Sequence, residues 1–434
     1  MNRRIRIDNR YGSRPRLFIV VTVGLCLLTG SFAQSPVATP PTDRETRWAQ
    51  DLKLFADELS AHQLDFAKVY SERGFSAELA SIQADLPKLT DAVVTLRLMK
   101  LVASANIGHN LVGMPFFKMG FDRLAITLYW YADDLSVTQI DPKYSAALGT
   151  RVVKIGTKTP KELLAALAPY VGHENDVWVK ERSPSLLTAI PVLQQIGACG
   201  SDGRVEFTIA KPGGGQPFTI TLTAAHPVDV RDQVTAIDVL HIPMALYRKQ
   251  PKSYYWYEYL PDSNALYLQY NRCDNDPKLA FKDFAAEMFA FVDSHTVSRI
   301  IVDLRFNGGG NSGVILPLLV GLRNRKEKLS QIYALIGPTT FSSGQDNAIE
   351  LKRGAHAILI GEPTGEKLNS YGEVKSVTLP NSGLFVQYTT KFFTYVKGSD
   401  PLSLEPDIVV KRTLEDALAG RDPVLQAAVQ HQPK

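Results

Sequence analysis

The sequence predicts an α/β protein built in three parts, and three observations carry that prediction. Apolar residues recur at helical spacing from Arg44 to Ala105, alternate as in strands from Leu124, and from Tyr254 onward fall into strands that take turns with helices. Strand–helix alternation implies βαβ units and a mostly parallel sheet. A chain of 434 residues is too long for one core, so two or three domains are expected. At 45% hydrophobic and 21% charged residues, the composition is ordinary for a globular protein.

Residues 1–33 stand apart. "MNRRIRIDNRYGSRPR" carries six arginines, "LFIVVTVGLCLL" is apolar or small, and "TGSFAQS" ends the run with Ser31-Phe32-Ala33. These are the charged, apolar and cleavage-site parts of an export signal, so a periplasmic or secreted protein beginning near Gln34 is expected. The apolar run is short for a bilayer span, and an uncleaved leader would hold the protein to the membrane. The leader contributes six Arg and one Asp, or +5, to a formal charge of +4, so the remainder carries −1. The basic balance therefore belongs to the leader, and no nucleic-acid partner is implied. Cys199 and Cys273 are the cysteines beyond it. They could pair in an exported protein or be plain buried residues, and neither has a second cysteine or histidine at metal spacing.

Residues 34–123 read as a helical region after a Pro-rich leader, with Thr90-Asp91 capping the run "AVVTLRLMKLVASA". Residues 124–250 read as a β-rich module with a helical insertion. "LAITLYWYADDLSVTQI" alternates, "GTRVVKIGTKTPKELLAALAPYV" reads strand, turn, helix, and "GRVEFTIAKPGGGQPFTITLTA" reads as a hairpin. Residues 251–434 hold the βαβ units. The strands are "NALYLQYN", "SRIIVDLRF", "QIYALIG" and "AHAILIGE", with helices at "LAFKDFAAEMFAFVDSH", Val314 to Arg323 and "GQDNAIELKRG". "YYWYEY" reads as edge-strand packing.

Chemistry concentrates where strands end. "SRIIVDLRF" runs directly into Asn307 and the glycines 308, 309 and 310. Gly308, Gly310 and Gly313 match the spacing of a dinucleotide-binding turn, but no acid follows the next strand, where Pro338, Thr339 and Thr340 stand. Two readings remain: a tight turn, or a row of backbone N–H groups that stabilises an oxyanion during acyl transfer. The second needs a nucleophile nearby. The neighbouring strand leads into Ser342 and Ser343 at the start of a helix, where a serine could equally be a simple cap.

Taken together, "VDLRFNGGG", "TTFSSGQDNAIELK", "GEPTGEKLNSYGEV", "LPNSGL" and "LEPDIVV" resemble the C-terminal processing (tail-specific) serine peptidase family with its tricorn-core relatives, in an exported branch. The likeness covers Tyr254 to Ala428. Upstream, "LSVTQIDPKYSAALGTRVVKIGTKTPKEL" is similar to a PDZ-type module, without the usual Gly-Leu-Gly-Phe-type loop, and "LVASANIGHN" is similar to a helix-end histidine motif. The resemblance implies a PDZ-like module followed by a catalytic domain of crotonase-like (ClpP/crotonase) type. It implies Ser342 as nucleophile, Gly308, Gly309 and Gly310 as the oxyanion loop, and the Ser343 N–H as second donor. Two bases match: Lys367, as in the processing enzymes, and His109, as in tricorn-like members, with Asp400 as its orienting acid. The spacing from serine to lysine and the "GEPT" lead-in favour Lys367. The motif departs from the family at Ile107-Gly108 and Asn110 around the histidine, and at Gln345, where Glu is usual.

The implied function is a serine-type endopeptidase of unfolded or extended polypeptides, using no metal or organic cofactor. Substrate is expected to add along a sheet edge, with "LSVTQI" as that edge. The alternative is a non-catalytic peptide- or lipid-binding protein on the same scaffold.

Overall fold

Alternating apolar strands that are buried on both faces need cover on each side, and the C-terminal part supplies it. In the computed structural model, which describes residues 43–432, six strands form one sheet in the order Ile408–Val409, Ile358–Gly361, Gln331–Ile336, Arg299–Asp303, Ala265–Tyr270, Tyr255–Leu260. Neighbours are parallel except at the Tyr255–Leu260 edge, which pairs antiparallel to Ala265–Tyr270. Ile300, Val302, Ala334 and Ile336 face the helices Phe281–Ser294, Leu316–Arg323 and Ser343–Ala355. Ile301, Tyr333, Leu335 and Ile360 face the helix Pro423–Gln430. The expected strands and helices are all present, with "YYWYEY" at an edge.

The β-rich module is an antiparallel sheet in the order Arg123–Leu124, Phe218–Ala225, Arg204–Ala210, Arg151–Ile155, Asp134–Ile140, Ile126–Tyr131. Asp134–Ile140 also pairs with Val234–Thr235, so "LSVTQI" is interior and not the edge expected of it. Helices Pro160–Leu167 and Asp176–Leu186 are its helical insertion. The first opens on a full capping box, Thr159 with Glu162, and carries Pro160 where a missing N–H is harmless.

The N-terminal helices Arg44–His62, Glu72–Asp85 and Asp91–Ala103 each begin on an Asp, Ser or Thr cap. Their apolar faces share one core with the β-rich module and with Leu379, Leu384, Val386 and Tyr388 of a C-terminal hairpin. That hairpin, Ser370–Thr378 with Phe385–Phe393, forms a three-stranded sheet with Leu111–Val112. Residues 43–432 accordingly form one compact unit. The expected export signal lies outside the described residues. Among the described residues no helix is long and apolar enough to cross a membrane.

Candidate active site

Two adjacent parallel strands deliver the glycines and the serine at their carboxyl ends, the usual place for a ligand crevice in such sheets. Arg299–Asp303 continues into Asn307 and the glycine loop; Gln331–Ile336 continues into Phe341 and Ser342. Asn307, fully buried, clamps the two together. Its Nδ2 donates to the Tyr270 carbonyl (2.8 Å), its Oδ1 accepts the Gly309 N–H (2.9 Å), and its carbonyl accepts the Phe341 N–H (3.1 Å). Gly344 permits this approach, since a Cβ there would lie 2.3 Å from the Asn307 carbonyl oxygen.

Ser342 itself is strained, at φ 54° and ψ −133°, immediately before the helix Ser343–Ala355. A side-chain-bearing residue reaches that region only when its surroundings enforce it. A sharp strand-to-helix turn of this kind presents a nucleophile's oxygen clear of the backbone. Of the loop amides, that of Gly309 is engaged by Asn307, whereas those of Gly310 and Ser343 make no hydrogen bond among the described residues. Gly309 has φ 109° and a Cβ on it would sit 2.8 Å from the Ser342 Cβ. Gly310 has φ 134° and lies against the Cys273 carbonyl. Cys273 is buried, with its thiol pushed up to about 12 by burial, and neither it nor Cys199 is in a disulfide.

His109 comes from the loop after the helix Asp91–Ala103. Gln387 of the hairpin donates to its carbonyl (2.7 Å), and the buried Asn110 beside it donates to Gln63 Oε1 (2.8 Å). Asn110 therefore anchors the segment. The imidazole packs on Phe341, ring centroids 4.6 Å apart, and Phe341 stacks on Trp178 at 4.0 Å. A cleft of about 800 Å³ is lined by His109, Ser342, Ser343, Gly308, Gly310 and Glu366, among others.

Glu366 is the carboxylate that stands beside the histidine. Its Oε1 lies 3.6 Å from His109 Nδ1 and accepts the Ser370 hydroxyl (2.7 Å), while its Oε2 accepts the Ser342 N–H (2.5 Å). Burial pushes Glu366 up to about 8, and pushes His109 down to about 4 against the pull of the Tyr371 backbone. Both groups are thus driven toward their uncharged forms. Glu174 is a second buried acid near this cluster. The residue is partly exposed, but both carboxyl oxygens are out of water, and burial pushes it up to about 7. Glu174 Oε2 closely approaches Gly108, where a Cβ would lie 2.7 Å from it.

Lys367 and Asp400 are placed differently from the expectation. They form an ion pair with each other and neither lines the cleft. The acid found beside His109 is Glu366. Gln345 explains the local path of the chain. Its Oε1 accepts the Thr364 hydroxyl and its Nε2 donates to the Lys367 carbonyl (3.2 Å), so the backbone of the "GEPTGEK" loop is tied to the helix Ser343–Ala355. Glu366 stands one residue from Lys367 in the sequence, and nothing local marked it. Among the described residues, no group of three or more His, Cys, Asp or Glu side chains could hold a metal ion.

No protein-family model matches the sequence, and no curated protein matches it. Solved structures do resemble it. Mature CPAF aligns at a TM-score of 0.61 with 14% identity, over 89% of this chain and 97% of that one. Mature CPAF complexed with lactacystin aligns at 0.60 with 14% identity, over 89% and 98%. The photosystem II D1 C-terminal processing protease is a more distant neighbour, at 0.39 and 14% identity, over 88% of this chain and 99% of that one. By fold, the chain stands with mature CPAF across nearly the whole of both chains.

Proposed function

We propose that the protein is a serine-type endopeptidase in which Ser342 is the nucleophile, His109 the general base and Glu366 the group that orients and charges the histidine. The observation that carries this reading is the strained Ser342 turn with His109 and Glu366 lining the same cleft. Serine is a weak nucleophile until a neighbouring base takes its proton. In the proposed sequence, His109 removes the Ser342 proton as Oγ attacks the carbonyl carbon of a peptide bond. The oxyanion is met by the free N–H groups of Gly310 and Ser343, at the positive end of the helix dipole. His109 then protonates the leaving amine, and water resolves the acyl-enzyme by the same steps reversed. Glu366 acts through charge: once ionised, it favours the imidazolium that forms in each transition state.

Extended polypeptide fits the walls. Ser370–Thr378 is the free edge of its sheet, and Gly372, Glu373 and Val374 on it line the cleft. A substrate strand pairing there places its carbonyls near Ser342. We further propose that the leader exports the protein and is removed at Ala33. Incubation with a serine-reactive phosphonate and with an unfolded polypeptide tests the activity. Labelling confined to Ser342, with cleavage lost in Ser342→Ala, supports it. A protein that binds polypeptide, takes no label and cuts nothing is the non-catalytic binding protein.

A further inference from the structure

A second cavity, of about 580 Å³, lies between the β-rich module and the six-stranded sheet, with a lining different from that of the Ser342 cleft. Its lining includes Arg248, Lys252, Arg272 and Arg412 and no Asp or Glu. Arg412 is 8% exposed. Its guanidinium lies 4.8 to 5.3 Å from the rings of Tyr247, Tyr129 and Tyr131, and 6.0 Å from Phe306. The rings attract the cation but offer only the Tyr129 hydroxyl, bound to Nη2 at 2.6 Å, as an acceptor. Nε and Nη1 are buried with no hydrogen-bond partner. Glu181 and Glu362 are close enough to feel the charge but do not bond to it.

An acceptor is left over in the same cavity. Gln269 donates through Nε2 to the Tyr247 carbonyl (3.0 Å) and Asn271 Oδ1 (2.9 Å), which fixes its orientation and leaves Oε1 buried without a donor. Buried polar atoms without partners are costly and uncommon in a native fold, and here three of them belong to two residues that line one cavity. We infer that this cavity is a ligand site for a carboxylate borne on an apolar body with an adjacent N–H. The carboxylate answers Arg412, the N–H answers Gln269, and the apolar body lies among the tyrosines. Both an N-acylated apolar amino acid and the end of a polypeptide chain have this chemistry.

The site is linked to the glycine loop through the chain. Gln269 and Asn271 lead directly to Cys273, whose N–H donates to the Gly309 carbonyl (3.1 Å) and whose carbonyl accepts the Asn311 N–H (2.6 Å). Phe306 adjoins the clamp residue Asn307. The proposal does not depend on the peptidase reading, because its test measures binding alone.

The test is calorimetric titration of the full chain with N-acetylphenylalanine and with its C-terminal amide. The acid is expected to bind at least about tenfold tighter than the amide, since a charge-assisted hydrogen bond is lost. Arg412→Lys, which keeps the charge but loses Nε and Nη1, is expected to weaken the acid by about tenfold or more. Ser253→Phe, at the cavity lining and away from Arg412, should do the same if Arg412→Lys fails to fold. Equal binding of acid and amide, no heat for either, or unchanged affinity in the folded variants overturns the proposal. A ten-residue peptide ending in phenylalanine separates the two sources: tighter binding than the small acid assigns the site to chain ends, and no binding assigns it to small acids.

Discussion

Replacing Glu366 by glutamine removes one charge from the cleft and almost no volume. At the 3.6 Å that separates Glu366 from His109, with an effective dielectric of roughly 20, a carboxylate attracts an imidazolium by about 4.6 kcal/mol. An amide dipole retains part of this, so turnover should fall by roughly 10²–10³-fold. The effect depends on pH, because burial pushes Glu366 up to about 8. Above that pH the wild-type carboxylate is ionised and the full difference should appear. Toward pH 6 it is protonated and the variant should approach the wild type. The assay is kcat/KM for a fluorogenic peptide from pH 6 to 9.5, with folding checked by circular dichroism. A wild-type rate that rises through about pH 8 and a flat, slow variant are expected. A folded Glu366→Gln variant within threefold of wild type at pH 9 would refute the role given to this carboxylate.

Gly309→Ala should collapse turnover while leaving substrate affinity nearly unchanged, because its Cβ would lie 2.8 Å from that of Ser342 and the residue sits at φ 109°; near-normal kcat would return the loop to a plain turn. Lys367→Ala should keep most activity and His109→Ala should lose it, since Lys367 is paired with Asp400 away from the cleft; the opposite pattern would restore lysine as the base. Stability should fall as pH rises from about 6.5 to 8.5. Glu174 and Glu366 titrate higher folded, at about 7 and about 8, than in the unfolded chain, so the fold holds protons that the unfolded chain has released, and that contribution is lost as pH rises through those values. His109, pushed down to about 4, acts in the opposite sense but only below about 6.5, where the unfolded imidazole takes up its proton. A melting temperature that is flat or rises between pH 6.5 and 8.5 would contradict this. Mass spectrometry of protein exported by its native host should find Gln34 at the N-terminus; a retained Met1 would exclude cleavage.

Local pattern was enough for much of this protein. Period-2 and period-3.6 runs marked the strands and helices of the C-terminal sheet, because burial on one or two faces writes itself into the residues of each element. The glycine loop was legible because a positive φ and a close backbone approach leave few residue choices, whereas Ser342 read equally as a helix cap until the motifs around it were taken together. Tertiary structure alone decided which acid stands beside His109. Glu366 and Lys367 are neighbours in sequence, yet one is buried beside His109 and the other turns to Asp400, a divergence set by how Gln345 and Thr364 hold the loop. His109 reaches the cleft through a pairing of Leu111–Val112 with Phe385–Phe393, and the interior place of "LSVTQI" likewise depends on which strands come to lie beside it. Such contacts join segments up to hundreds of residues apart, and a sequence pattern records whether a face is buried but not what buries it.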